Sequence, residues 1–180
     1  YDVYQESEQI KQNVGYMSQK FSLYSDLTVY ENIRFYGGIY GLDKEEIEAG
    51  AEYFLQKLNI QDYRDKLVGS LPLGWRQKLA FSVAILHNPA IVFLDEPTSG
   101  VDPVTRRQFW EMIYEAAEEG ITPFVTTHYM DEAEYCEQVT IMVDGRIEAL
   151  GPPEKLKREF GAKDINEVFL KIAGDKEEYA

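Results

Sequence analysis

Ala90-Ile91-Val92-Phe93-Leu94-Asp95-Glu96-Pro97-Thr98-Ser99-Gly100-Val101-Asp102-Pro103 is the most informative run of residues in the chain. Five apolar residues follow one another without alternation, the pattern of a parallel strand buried on both faces. Asp95 and Glu96 close the run, and Pro97 stops the strand ladder because it has no N–H. Ligands of open α/β sheets bind beyond the carboxyl ends of such strands. Neighbouring side chains of a strand point to opposite sides, so the two carboxylates can address two atoms of one ligand, such as a metal and a water. Asp102 followed by Pro103 predicts an N-cap with proline at the first helical position. Strand, paired carboxylates, tight loop and capped helix together point to a nucleotide hydrolase.

Outward from that stretch the chain alternates strands and helices, with a helix-only block between residues 22 and 87. Residues 14–17 form a short strand candidate, followed by Ser18-Gln19. Thr28 and Glu31 have the spacing of a capping box, and so do Asp43 and Glu46. After Asp43, the residues Ile47, Ala51, Phe54, Leu55 and Leu58 form one apolar stripe at helical spacing. A third helix is predicted over 75–86, with Leu79, Val83 and Leu86 on one side and Asn88-Pro89 at its end. Gly74 precedes it, where a backbone can come close to a phosphate, although a glycine before a helix is commonplace.

Beyond the central stretch, residues 103–119 predict a long helix with Phe109, Met112, Ile113 and Ala116 inward, stopped by Gly120. Residues 122–127 predict a strand ending at His128. That histidine suits either a structural role or, at the sheet edge that bears Asp95 and Glu96, a functional one. A short helix starts at Asp131, and Asp144-Gly145 between two apolar runs marks a hairpin. Two further helices follow, and the tail 175–180 is expected to fray.

The composition bounds the partners. The chain has 180 residues, enough for one domain with a real core. A formal charge of −14 and a pI near 4.5 argue against nucleic acid as a partner. The single cysteine, Cys136, excludes an internal disulfide framework and fits a reducing compartment. No apolar stretch reaches the ~18 residues of a membrane span, and no signal peptide is visible at the start. The chain is expected to be soluble and to meet a membrane only through another protein.

Taken together, these motifs resemble the nucleotide-binding domain of an ATP-binding cassette (ABC) transporter, from about residue 14 to residue 156. Residues 91–96 are similar to the Walker B strand, 99–102 to the D-loop, and His128 to the switch histidine. Gln19 matches the Q-loop glutamine, and Leu71-Pro72-Leu73-Gly74-Trp75 falls where the signature belongs. Leu71-Pro72-Leu73-Gly74-Trp75-Arg76-Gln77 and the segment 126–134 look most like bacterial drug-exporter subunits.

The resemblance implies an α/β, P-loop NTPase-like fold: a mainly parallel sheet with an inserted all-helical lobe. Residues 22–87 would form the helical signature lobe, 1–21 and 88–150 the catalytic core, and 151–180 the C-terminal helices. It also implies ATP and Mg²⁺ as ligands. Asp95 would hold the magnesium through its water shell, Gln19 would sense magnesium and γ-phosphate, Glu96 would act as general base and His128 would bind the γ-phosphate. Ser99 and Asp102 would communicate across a head-to-tail dimer with a second nucleotide-binding domain. Gly74 would face the partner's ATP, with Ser70 as a hydroxyl source that the spacing does not demand.

A transmembrane permease would place the subunit at the cytoplasmic face of the membrane. Phe21, Tyr24, Tyr30, Phe35 and Tyr36 either receive a permease helix or fill the lobe's own core. Two features depart from the family pattern. No Gly-x-x-x-x-Gly-Lys-Ser/Thr occurs in the chain, so it is expected to be part of a longer subunit and inactive by itself. The signature keeps only Leu71 and Gly74, with Pro72 where a serine belongs. The rival functions are a non-transport ABC ATPase of DNA repair or translation, and an inactive fragment that serves only as a binding unit.

Overall fold

The computed structural model describes residues 1–19 and 23–177. The chain divides into two compact units, residues 1–126 and 127–180. The first unit opens with helix α1 (Ser7–Asn13), which buries no residue and runs straight into strand β1 (Val14–Met17). Helices α2 (Val29–Ile39), α3 (Lys44–Lys57) and α4 (Leu73–Ala84) follow, then β2 (Ile91–Asp95), α5 (Pro103–Glu118) and β3 (Thr122–Thr126). The three strands form one parallel sheet in the order β1-β2-β3. Pro123 is tolerated in β3 because that strand lies at an edge of the sheet, where a missing N–H costs no ladder bond.

Local chemistry sets the helix boundaries. Thr28 with Glu31, and Asp43 with Glu46, make complete capping boxes, each satisfying backbone donors that would otherwise be bare. Asp102 accepts from the N–H groups of Val104 and Thr105, with Pro103 at the first helical position. The third helix starts two residues before its predicted start, because Pro72 itself takes the N-cap position and its carbonyl accepts from Trp75 and Arg76. Nor is α4 a one-sided helix. Gln77 and every residue from Leu79 to Ala84 are buried, so it is the central rod of the unit. Its Phe81 packs on Phe109 of α5 with ring centroids 5.4 Å apart. In α5, Trp110 joins the buried set and Met112 is only half-buried.

The expectation that β2 is covered on both faces needs correction. Val92 and Leu94 are fully buried, on the face that also carries Gly15 and Met17. Phe93 on the opposite face is half-buried between Tyr16 and Phe124, which are 56% and 53% exposed. Aromatic rings packing on one another cover that face in part, Phe93 against Phe124 at 5.4 Å. Within these residues β2 thus has one dry face and one partly covered face.

His87 ties the end of the helical block to the sheet. Its ring stacks on Tyr40 at 3.7 Å, and Nε2 lies 3.3 Å from the carbonyl oxygen of Val14, the first residue of β1. A carbonyl oxygen can only accept, so Nε2 carries the proton of the neutral ring. Nδ1 is buried and has no partner among the described residues. Burial pushes the imidazole pKa below its ordinary value, the nearby carbonyl opposing this only in part. The unfolded chain then binds a proton at a higher pH than the folded one, and stability falls as pH drops below about 6.5. His87→Gln should flatten that acid limb in urea titrations at pH 5 and pH 8; an unchanged pH dependence would contradict the assignment.

The second unit holds α6 (Met130–Ala133), β4 (Val139–Val143), β5 (Arg146–Gly151), α7 (Pro153–Glu159) and α8 (Ile165–Glu177). Strands β4 and β5 form an antiparallel hairpin, with Asp144 and Gly145 both at positive φ as its two-residue turn requires. Ile141, Leu156, Ile165, Val168 and Ile172 make its core. Helix α8 runs to Glu177, so residues 175–177 of the tail expected to fray are helical, and residues 178–180 lie outside the described residues.

Candidate nucleotide site at the sheet edge

Asp95 ends β2 and Thr126 ends β3, paired in register. The hydroxyl of Thr126 donates to Asp95 Oδ1 at 2.7 Å. Glu96 follows with φ of +46°, a conformation that non-glycine residues rarely adopt. Its N–H donates to the Thr126 carbonyl at 3.0 Å and lies 3.2 Å from the Thr126 hydroxyl. Gln19 stands two residues beyond the end of β1, and its Nε2 donates to Glu96 Oε2 at 2.5 Å. Three neighbouring strands thus deliver an amide, two carboxylates and a hydroxyl to one edge. Asp95 and Thr126 also line a cleft of about 160 Å³ with Tyr16, Phe93, Leu94 and Phe124, on the open face of the sheet.

The loop after Glu96 is pinned from beneath. Ser99 N–H donates to the Glu96 carbonyl at 3.1 Å, and the Ser99 carbonyl accepts from Gln77 Nε2 at 3.0 Å. Gln77 is buried in α4, so that helix holds the loop after β2 directly. Asp102 caps α5, and the Thr105 hydroxyl donates to it at 2.6 Å. That bond, with the helix N–H groups, holds the Asp102 carboxyl below the usual carboxylate range. Gly74 packs against the same Thr105, since a Cβ at 74 would stand 2.7 Å from its Cγ2. Helix packing is thus sufficient reason for a glycine at 74. The Ser70 hydroxyl donates to the Leu67 carbonyl at 2.7 Å within a 3₁₀ turn.

His128 lies two residues past the end of β3, in the second unit, exposed and with its ring 4.1 Å from that of Tyr129. Of the aromatic patch, Tyr24, Phe35 and Tyr36 form one cluster, with Phe35 5.1 Å from Tyr24 and 5.2 Å from Tyr36. Tyr30 serves the lobe itself: its hydroxyl donates to Glu48 at 2.6 Å and Arg64 lies over its ring. Phe21 is outside the described residues. Sequence reasoning missed Thr126 and Gln77. A hydroxyl at a strand end and an amide on a helix whose other buried residues are mostly apolar were the only signals.

Residues 2–99, just over half of the chain, match the family described as ABC transporter. The chain belongs to the ABC transporter family. Among curated proteins it is 45% identical to the probable multidrug ABC transporter ATP-binding protein YbhF of Escherichia coli, over 97% of this chain and 31% of that protein. It is 35% identical to human ATP-binding cassette sub-family A member 2, over 89% of this chain and 7% of that protein. The chain therefore spans less than a third of the length of either relative. A solved ATP-binding subunit of an ABC transporter superposes with a TM-score of 0.83 at 26% identity, over 96% of this chain and 73% of that one. For cbiO1 of Clostridium perfringens, part of the ABC transporter complex cbiONQ, the TM-score is 0.72 at 27% identity, over 84% of this chain and 61% of that one. The P-loop NTPase-like α/β fold of ABC ATPase domains is thereby established for this chain.

The site also bears on the metal. Among the described residues no three His, Cys, Asp or Glu side chains converge as a metal cage. The carboxylates of Asp95 and Glu96 are oxygen donors of the kind a hard cation takes.

Proposed function

We propose that the chain is the Walker B, signature and switch portion of an ATP-hydrolysing subunit that powers export across a membrane. The bond between Gln19 and Glu96, beside the Thr126–Asp95 bond, carries this reading. It gathers at one strand edge the groups that phosphoryl transfer to water needs. Asp95 would hold Mg²⁺, with Gln19 Oε1 as a second oxygen. The metal supplies charge neutralisation for the phosphate oxygens when bound. Glu96 accepts the proton of the attacking water, and the Gln19 amide fixes the orientation of its carboxylate. His128 donates to the γ-phosphate. Gly74 and the first turn of α4 face the nucleotide of a second nucleotide-binding domain in a head-to-tail dimer, and Ser99 and Asp102 lie on the connection between the two sites. Pro72 offers neither hydroxyl nor N–H there, so the contact is a backbone one.

The exposed Tyr24, Phe35 and Ile39 support docking of a permease segment on the helical lobe. No helix among the described residues is long and apolar enough to cross a membrane. A relative whose name is that of a probable multidrug ABC transporter ATP-binding protein favours transport over DNA repair or translation.

One observation favours a second reading, that this stretch alone is catalytically silent: no phosphate-loop motif occurs in its 180 residues. Both readings are tested together. The full-length subunit should hydrolyse Mg-ATP, whereas calorimetric titration of the 180-residue chain should detect no micromolar binding. No ATPase activity in the full-length subunit would overturn the first, and tight binding by the isolated chain the second. Thr126→Val keeps the side-chain shape and removes the hydroxyl from Asp95. Losing one such bond costs about 1 kcal/mol, so half-maximal turnover should need roughly fivefold more magnesium. An unchanged magnesium titration would show that Thr126 does not position Asp95.

A further inference from the structure

The two threonines before His128 point to different carboxylates. Thr126 reaches Asp95, whereas the Thr127 hydroxyl donates to Glu132 Oε2 at 2.7 Å and accepts from the Tyr129 N–H at 3.0 Å. Glu132 is 0% exposed, the only ionisable side chain among the described residues that is fully buried. A carboxylate is taken from water at high cost unless its oxygens are bonded. Its bond with Thr127 closes residues 127–132 into a ring. The third residue of the single-turn helix α6 is tied back to the residue that follows β3, and the Thr127 hydroxyl, oriented by that acceptor, holds the Tyr129 N–H. His128 is the one residue between Thr127 and Tyr129, so both of its peptide flanks are fixed. The Tyr129 ring lies 4.1 Å from the imidazole.

We infer that Thr127 and Glu132 are positioning residues that fix the direction in which His128 presents its imidazole. The inference rests on the reading of His128 as a γ-phosphate ligand. Neither residue touches the nucleotide; both act through the histidine. A purely structural pair would weaken the fold whether or not the imidazole is present, whereas a positioning pair loses its kinetic effect once the histidine is gone.

The test is a double-mutant cycle in the full-length subunit, reading kcat and KM for Mg-ATP. Thr127→Val should lower kcat by about tenfold while KM changes by less than about twofold, the signature of an interaction made in the transition state. Thr127→Ser should restore kcat to within about twofold of wild type, because the hydroxyl returns. In a His128→Ala background, Thr127→Val should change kcat by less than about twofold. Equal losses in both backgrounds, or a wild-type kcat for Thr127→Val, would overturn the inference while leaving His128 in place. A wild-type kcat for His128→Ala alone would instead remove the histidine's role, and the inference with it. Should Thr127→Val not fold, Glu132→Asp serves: it withdraws the acceptor by one methylene, and the same dependence on His128 is required of it.

Discussion

Glu96→Gln in the full-length subunit will lower steady-state ATP hydrolysis by about 10²–10⁴-fold, the range of general-base catalysis, while nucleotide binding is retained. The substitution is isosteric, so the positive φ at 96 and the bond from its N–H to Thr126 need not change. The new amide still offers Gln19 an oxygen to bond. Only basicity and one negative charge are removed, and less negative charge beside a triphosphate cannot weaken its binding electrostatically. A non-glycine residue in the left-handed region, at the end of a central strand, is the kind of strain that surrounding structure must hold in place. The holding group is visible: Thr126, through its carbonyl. Steady-state ATPase and nucleotide titration of the variant decide the matter, and a wild-type rate would exclude Glu96 as the base.

Gly15→Ala will destabilise the chain by at least about 1–3 kcal/mol, the usual cost of overfilling a packed interior. A Cβ at 15 would come within 2.2 Å of the carbonyl oxygen of Ala84 and 3.1 Å of Val92 Cγ2. The first obstacle is backbone at the last residue of α4, which cannot rotate aside as a side chain can. Either α4 or β1 must shift, and β1 carries Gln19 just beyond its end. The loss should therefore appear in the urea midpoint of the chain and, in the full-length subunit, in hydrolysis as well. An unaltered midpoint would mean that α4 and β1 pack less closely than described.

Much of this molecule is local and could be foreseen from neighbouring residues. Thr28 with Glu31, Asp43 with Glu46, and Asp102 with Pro103 each complete their cap within one helical turn, so spacing alone predicts them. Asp144-Gly145 forms its hairpin turn because both residues tolerate positive φ. The order of Gln19, the signature, Asp95-Glu96 and His128 is likewise a property of the chain, and it is sufficient to indicate the family.

What escaped prediction lies between residues far apart in sequence. Thr126 meets Asp95 only because β2 and β3 pair in one register, and a slip of a single residue would turn one of the two side chains to the other face. Gln77 reaches Ser99 only because α4 runs beneath the D-loop. The burial of α4 on all sides, and the bare aromatic face of Tyr16 and Phe124, depend on which elements pack together, which periodicity does not encode. Gly74 shows the same division: its residue type was plain, yet the close approach of Thr105 exists only in the folded chain. Local spacing sets caps, turns and the order of the motifs. Register and packing decide which hydroxyl holds which carboxylate, because those bonds join elements that only folding brings together.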